Sequence, residues 1–126
     1  MAKMLHTMVR VLNPEKSIQF YQDGFGLEMT LKVVFDSFTL YYLRNDECDM
    51  DLELTHNHDQ KEAYDMGNGY GHLAFQVDDI VSEHERFESL GFSPKKLVDF
   101  KHNGKTMAHF FFVQDPDGYS IEVMQK

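Results

Sequence analysis

Two short stretches open the two halves of this chain in the same way. Residues 5–11 read LHTMVRV and residues 71–77 read GHLAFQV. Each holds a histidine, His6 or His72, followed five residues later by a valine, in a run whose apolar positions alternate as in a half-buried strand. The 66-residue spacing of the two histidines in a 126-residue chain marks an internal repeat, and a repeat restricts the fold more than any single motif does.

The rest of each half follows the same order. After the first strand comes a helix over NPEKSIQFYQDGF, opened by Asn13 or Pro14, with Ile18, Phe20 and Tyr21 as apolar faces and Gly24 and Gly26 at its end. Three β-rich runs follow, MTLKVVF (29–35), FTLYYLR (38–44) and MDLELT (50–55). In the second half, HLAFQV is a strand and DDIVSEHERFESLGF a helix with an aspartate cap and Gly91 at its end. KKLVDF (95–100), MAHFFFV (107–113) and YSIEVM (119–124) are the matching strands, the last two joined by QDPDGY, whose Pro116 and Gly118 suit a turn. Each half reads strand, helix, strand, strand, strand. The expectation is an α+β fold of two βαβββ modules. It is one domain over 1–126, with the repeat at 1–57 and 70–126 and the polar stretch 58–69 as connector.

Composition limits the function classes. Hydrophobic residues make up 42% of the chain, with eleven Phe and six Tyr, enough for a packed core. A net charge of −9 argues against a nucleic-acid partner, which would need a basic stripe. No apolar run approaches the length of a membrane helix, and the first residues do not read as a signal peptide, so no membrane association is expected. The single cysteine, Cys48, precludes an internal disulfide framework and suits a reducing, cytoplasmic setting.

The repeat also carries polar residues. LEL at 52–54 matches IEV at 121–123, so each half has one histidine in its first strand and one glutamate, Glu53 or Glu122, in its last. Alternation puts His6 with Met8 and Arg10, His72 with Ala74 and Gln76, and each glutamate opposite flanking aliphatic residues. All four candidates therefore face away from a packed apolar side, with helices behind the sheet and a cavity in front. Two imidazoles and two carboxylates suit a borderline divalent ion such as Zn²⁺, Ni²⁺, Co²⁺ or Mn²⁺, and four protein ligands leave room for water or substrate. Matching positions inherited by duplication without any metal are the alternative. Of the other histidines, His56, His58, His84 and His102 are expected to be solvated, and His109, among phenylalanines, to pack.

The stretches LHTMVRV, FYQDGFGL, LELTHN, YGHLAF and QDPDGYSIEVM, in that order and covering nearly the whole chain, resemble the motifs of glyoxalase I, the lactoylglutathione lyases of the vicinal oxygen chelate superfamily. The resemblance implies that the curved mixed sheets of the two modules form a metal-binding cavity, with metal ligands at His6, Glu53, His72 and Glu122. It implies a homodimer whose sites are shared between subunits. It implies isomerisation of the methylglyoxal–glutathione hemithioacetal to S-lactoylglutathione through an enediolate, with Glu122 as principal base and Glu53 opposite. Arg10 and Asn57 match glutathione-contacting positions, and Lys95 or Lys96 is a further candidate. Longer family members carry an arginine shortly before the second-histidine motif, where this chain has Asn68. Short chains of this kind resemble the bacterial type, which favours Ni²⁺ or Co²⁺, with Zn²⁺ as the alternative. Competing readings are another chelating enzyme of the superfamily, such as a ring-cleaving dioxygenase on Fe²⁺ or a thiol transferase, and a non-catalytic module that binds a small ligand.

Overall fold

The computed structural model describes residues 1–126, the side chain of Ala108 excepted. The chain divides into two compact units, Met1–Asp65 and Met66–Lys126. Unit 1 contains β1 (His6–Arg10), α1 (Pro14–Phe25), β2 (Glu28–Val34), β3 (Phe38–Arg44) and β4 (Asp51–Asn57). Unit 2 contains β5 (Leu73–Gln76), α2 (Ile80–Ser89), β6 (Val98–His102), β7 (Lys105–Gln114) and β8 (Ser120–Gln125). No helix among the described residues is long and apolar enough to cross a membrane.

Both units have the same topology. The sheet orders are β1-β4-β3-β2 and β5-β8-β7-β6. In each, the first and last strands of the unit pair in parallel and the other pairs are antiparallel, giving a mixed sheet of four strands. The parallel pair is possible because the helix supplies the crossover that two parallel neighbours need. The first and last strands of each unit are therefore adjacent, with the histidine of each repeat in or just before the first and the glutamate in the last.

Local sequence explains the helices. Asn13 is the N-cap of α1: its side chain accepts from the Lys16 N–H, and Pro14 takes the first helical position, where a missing N–H costs nothing. Gly26, at φ 64°, ends the helix, whereas Gly24 lies buried within it. Asp79 caps α2, accepting from the Ser82 N–H and from the Ser82 hydroxyl. Gly91 follows at φ 79°, the counterpart of Gly26.

The core of unit 1 collects Val9 and Val11, Phe20 and Tyr21 of α1, Leu43 of β3, and Leu52 and Leu54 of β4. The core of unit 2 collects Ile80 and Phe87 of α2, Phe111 and Val113 of β7, and Ile121 and Val123 of β8. Phe87 meets Phe111 nearly edge-on at 5.6 Å, which fixes α2 against its sheet.

Two strand boundaries differ from the sequence expectation. The stretch 95–100 becomes a strand only from Val98, which then runs to His102. The cause is the Asn103-Gly104 pair, whose positive φ values of 52° and 76° form a tight hairpin with β7 and draw the strand toward it. His72 stands just before β5 rather than inside it.

Candidate metal centre

The apolar alternation of the outer strands dictates where the four candidates point. In unit 1, Met8 is the cross-strand partner of Glu53. In unit 2, Ala74 is the partner of Glu122. Each histidine stands two residues before that partner and so shares its face. His6 Nε2 lies 2.8 Å from Glu53 Oε2, and His72 Nε2 lies 2.8 Å from Glu122 Oε2. Both imidazoles are 42% exposed, while the glutamate side chains are only 9% and 14% exposed. A carboxylate can only accept, so Nε2 donates in each pair.

The same construction thus occurs twice, once per unit. An imidazole nitrogen and a carboxylate oxygen at hydrogen-bond separation are the donor types that a borderline divalent ion takes. Each unit brings together one such pair, and no group of three or more potential ligands occurs among the described residues.

The local support of the two pairs is different. Tyr42, on β3, stands directly across from Glu53, and its ring meets His6 edge-on at 6.0 Å and 83°. Burial, then the nearby charge of Glu53, raises the Tyr42 phenol above its usual range. Phe112, on β7, stands directly across from Glu122, with its ring edge-on to His72 at 5.2 Å and 87°. The approach to β5 is held by Tyr70, whose ring lies 5.1 Å from that of Tyr119 and whose hydroxyl reaches the Ser120 carbonyl at 3.5 Å. The turn leading into β8 is built on Asp115, whose buried carboxylate accepts from the Asp117 and Tyr119 N–H groups at 2.9 and 3.0 Å. Gly118, at φ 89°, closes that turn.

The candidate glutathione contacts fall in different units. Arg10 ends β1 on the His6 face and Asn57 ends the neighbouring β4, so unit 1 brings these two to the same end of its sheet. Asn57 donates to the Tyr64 hydroxyl at 3.1 Å. Lys95 and Lys96 are exposed residues of unit 2, outside its strands. The Lys95 N–H donates to Phe112 O at 2.8 Å, which ties this segment beside the strand facing Glu122.

Three histidines depart from expectation. His58 is not freely solvated: it lies 2.7 Å from the Thr39 hydroxyl and 3.0 Å from the Asp36 carbonyl. His84 is 14% exposed, its Nε2 donates to the Lys95 carbonyl at 2.8 Å, and its ring packs edge-on against Phe111. His109 pairs with Asp99 instead of packing, because the β6–β7 register sets the two opposite each other. Each of these partners is remote in sequence. Tyr42 and Phe112 also escaped the sequence reading, since only the strand register reveals that they face the glutamates.

A family model described as the Glyoxalase/Bleomycin resistance protein/Dioxygenase superfamily matches residues 3–123. A lactoylglutathione lyase from Neisseria meningitidis is 43% identical over 98% of this chain and 91% of its own length. A probable lactoylglutathione lyase from Synechocystis is 39% identical over 97% of this chain and 94% of its own. Among solved structures, a glyoxalase I variant from Zea mays superposes with a TM-score of 0.86 at 30% identity; 98% of this chain is covered, which spans 44% of the maize chain. The trypanothione-dependent glyoxalase I of Leishmania major gives a TM-score of 0.79 at 30% identity, over 99% of this chain and 87% of that one. The chain belongs to the Glyoxalase/Bleomycin resistance protein/Dioxygenase superfamily.

Proposed function

We propose that this chain is a lactoylglutathione lyase, isomerising the hemithioacetal of methylglyoxal and glutathione to S-lactoylglutathione. The observation that carries the reading is the histidine–glutamate pair at 2.8 Å, repeated where the first and last strands of each unit run side by side. Relatives named lactoylglutathione lyase, similar over nearly the whole chain, support it.

The reaction moves a proton between adjacent carbons. The substrate has an acidic C–H next to a carbonyl, and its removal leaves an enediolate that water alone stabilises poorly. In this reading Glu122 takes the proton from one carbon and returns it to the other, while Glu53 stands opposite. Before an ion binds, His6 and His72 hold their partner carboxylates through Nε2–H, a proton that an ion would displace, and the apolar packing of Leu52, Leu54, Ile121 and Val123 behind them supports both strands. The donor set fits a divalent ion held by His6, Glu53, His72 and Glu122, with Ni²⁺ or Co²⁺ preferred and Zn²⁺ the alternative. When bound, such an ion supplies positive charge where the two substrate oxygens become negative. Arg10 and Asn57 hold glutathione carboxylates, and Lys95 or Lys96 adds a further contact. Each pair alone offers two donors, so the site is completed in a homodimer by His72 and Glu122 of the partner subunit. A thiol substrate and the lone exposed Cys48 agree with a cytoplasmic setting.

The test is metal reconstitution. Protein stripped by chelator receives Ni²⁺, Co²⁺, Zn²⁺ or Fe²⁺ singly, and thioester formation from methylglyoxal is followed with glutathione and, separately, with trypanothione. Restored turnover with Ni²⁺ or Co²⁺ and glutathione is the expected result. Stoichiometric metal binding with no thioester from either thiol would refute the substrate assignment.

A further inference from the structure

The polar stretch that follows β4 folds back onto the last residue of that strand. Asn57 ends β4 on the face that carries Glu53, four residues further on and so about 13 Å along the strand. Its backbone is fixed on both sides. Phe38 of β3 stands across from it, its carbonyl accepts from the Gln60 N–H at 3.1 Å, and the next residue, His58, donates its N–H to Ser37 O at 2.9 Å. The His58 ring is pinned as well, with Nδ1 3.0 Å from the Asp36 carbonyl and Nε2 2.7 Å from the Thr39 hydroxyl. The Asn57 side chain is then held by a residue seven positions later: its Nδ2 donates to the Tyr64 hydroxyl at 3.1 Å. We propose that Tyr64 is a positioning residue for glutathione, holding the Asn57 amide so that its second N–H meets a glutathione carboxylate. This inference rests on the lyase reading for the identity of the ligand and on the geometry alone for the orientation of the amide.

The physical argument concerns direction. An asparagine amide turns about a terminal torsion with broad preferences, so an untethered Asn57 would sample many orientations. Ordering it when the ligand arrives costs side-chain entropy; ordering it beforehand moves that cost into folding. The amide has two N–H donors, of which Tyr64 takes one and the proposal gives the other to the ligand. Asn57 carries no charge, and a neutral N–H weakens steeply once its angle to the acceptor falls below about 120°, so its contribution depends on being aimed. Arg10, on the neighbouring strand across from Thr55, carries the charge at this end of the sheet. Tyr64 suits the task because a tyrosine has only two side-chain torsions to fix, and because both partners are part-buried, where water competes less for the bond.

Tyr64→Phe removes the acceptor and keeps the ring. The probe is S-hexylglutathione, an unreactive thioether of glutathione, titrated calorimetrically into the Ni²⁺-loaded full chain; kcat and KM are followed with the hemithioacetal. Tyr64→Phe is expected to weaken probe binding about fivefold and to raise KM by a similar factor, the effect of one lost neutral hydrogen bond. Turnover at saturation and Ni²⁺ affinity should stay nearly constant, because no metal ligand is touched. Asn57→Ala should weaken the probe at least as much. In the double variant Tyr64→Phe should then cost nothing further, because the group it positions is gone. A general disturbance of the 58–69 stretch would instead add to the effect of Asn57→Ala, and a purely structural bond would lower the urea midpoint while leaving probe affinity unchanged. Either result would overturn the proposal. A wild-type protein that binds S-hexylglutathione but makes no thioester sinks the lyase reading by itself, and the probe affinities then still decide the role of Tyr64. A wild-type protein that does not bind the probe overturns this inference together with the glutathione assignment.

Discussion

Glu122 is the residue on which the proposed chemistry concentrates, and replacing it separates binding from catalysis. Glu122→Gln keeps an oxygen at the same reach from His72 but removes the basic carboxylate. General base groups contribute roughly 10²–10⁴-fold to turnover, so kcat should fall by about that factor. Because the amide oxygen remains, Ni²⁺ should still bind, more weakly, as a calorimetric titration would register. A variant that turns over normally would exclude Glu122 as the base. Glu53→Gln provides the contrast, because in the proposed reaction Glu53 stands opposite Glu122 and is not the principal base. Its loss of kcat should be the smaller of the two.

At the scale of elements, each unit stands or falls with one helix packed on one sheet. Phe111 is fully buried in β7 and receives Phe87 at 5.6 Å and the His84 ring at 4.9 Å. Phe111→Ala should destabilise the protein by about 3–5 kcal/mol through lost burial and the cavity left behind, measurable by urea unfolding. The α2 cap has a pH signature. The Ser82 N–H, then its hydroxyl, stabilise the Asp79 carboxylate and lower its pKa below 3.8. A carboxyl with a depressed folded value adds stability that is present above its unfolded pKa and lost as pH falls through the folded one. The melting-temperature gap between wild type and Asp79→Ala, open at neutral pH, should therefore narrow below about pH 4; a gap constant down to pH 2 would mean that the carboxylate charge contributes nothing.

These elements also show what was readable without coordinates. Apolar alternation in 5–11 and 119–124 reports burial directly, so β1 and β8 and the faces of His6 and Glu122 followed from period alone. Asn13 before Pro14, and Gly26 and Gly91 after the helices, are local signals whose energetics lie within one turn. The shift of β6 was less visible, because a strong Asn-Gly turn outweighs the weak preference of Lys95 and Lys96. The fates of His58, His84 and His109 were not legible at all. Each depends on a partner 10 to 22 residues away, brought close by sheet register or by helix packing. The same holds for Tyr42, which faces Glu53 only because of the β3–β4 register.

At the scale of the whole molecule, the repeat makes a prediction that no single residue can. Each unit supplies two donors, and the proposed homodimer completes every site with one pair from each chain. Glu53→Ala and Glu122→Ala chains, each inactive as its own homodimer, should then complement one another. In the mixed dimer one site receives both lesions and the other receives none, because the intact Glu53 of one chain meets the intact Glu122 of the other. With random exchange of subunits, half the dimers are mixed and each has one working site of two, so about a quarter of wild-type activity should return. Sedimentation at twice the 14.8 kDa chain mass would establish the dimer independently. If the protein sediments as a dimer, subunits exchange, and mixing restores nothing, both pairs must come from one chain, and duplication would then have built a complete site within each subunit rather than between two.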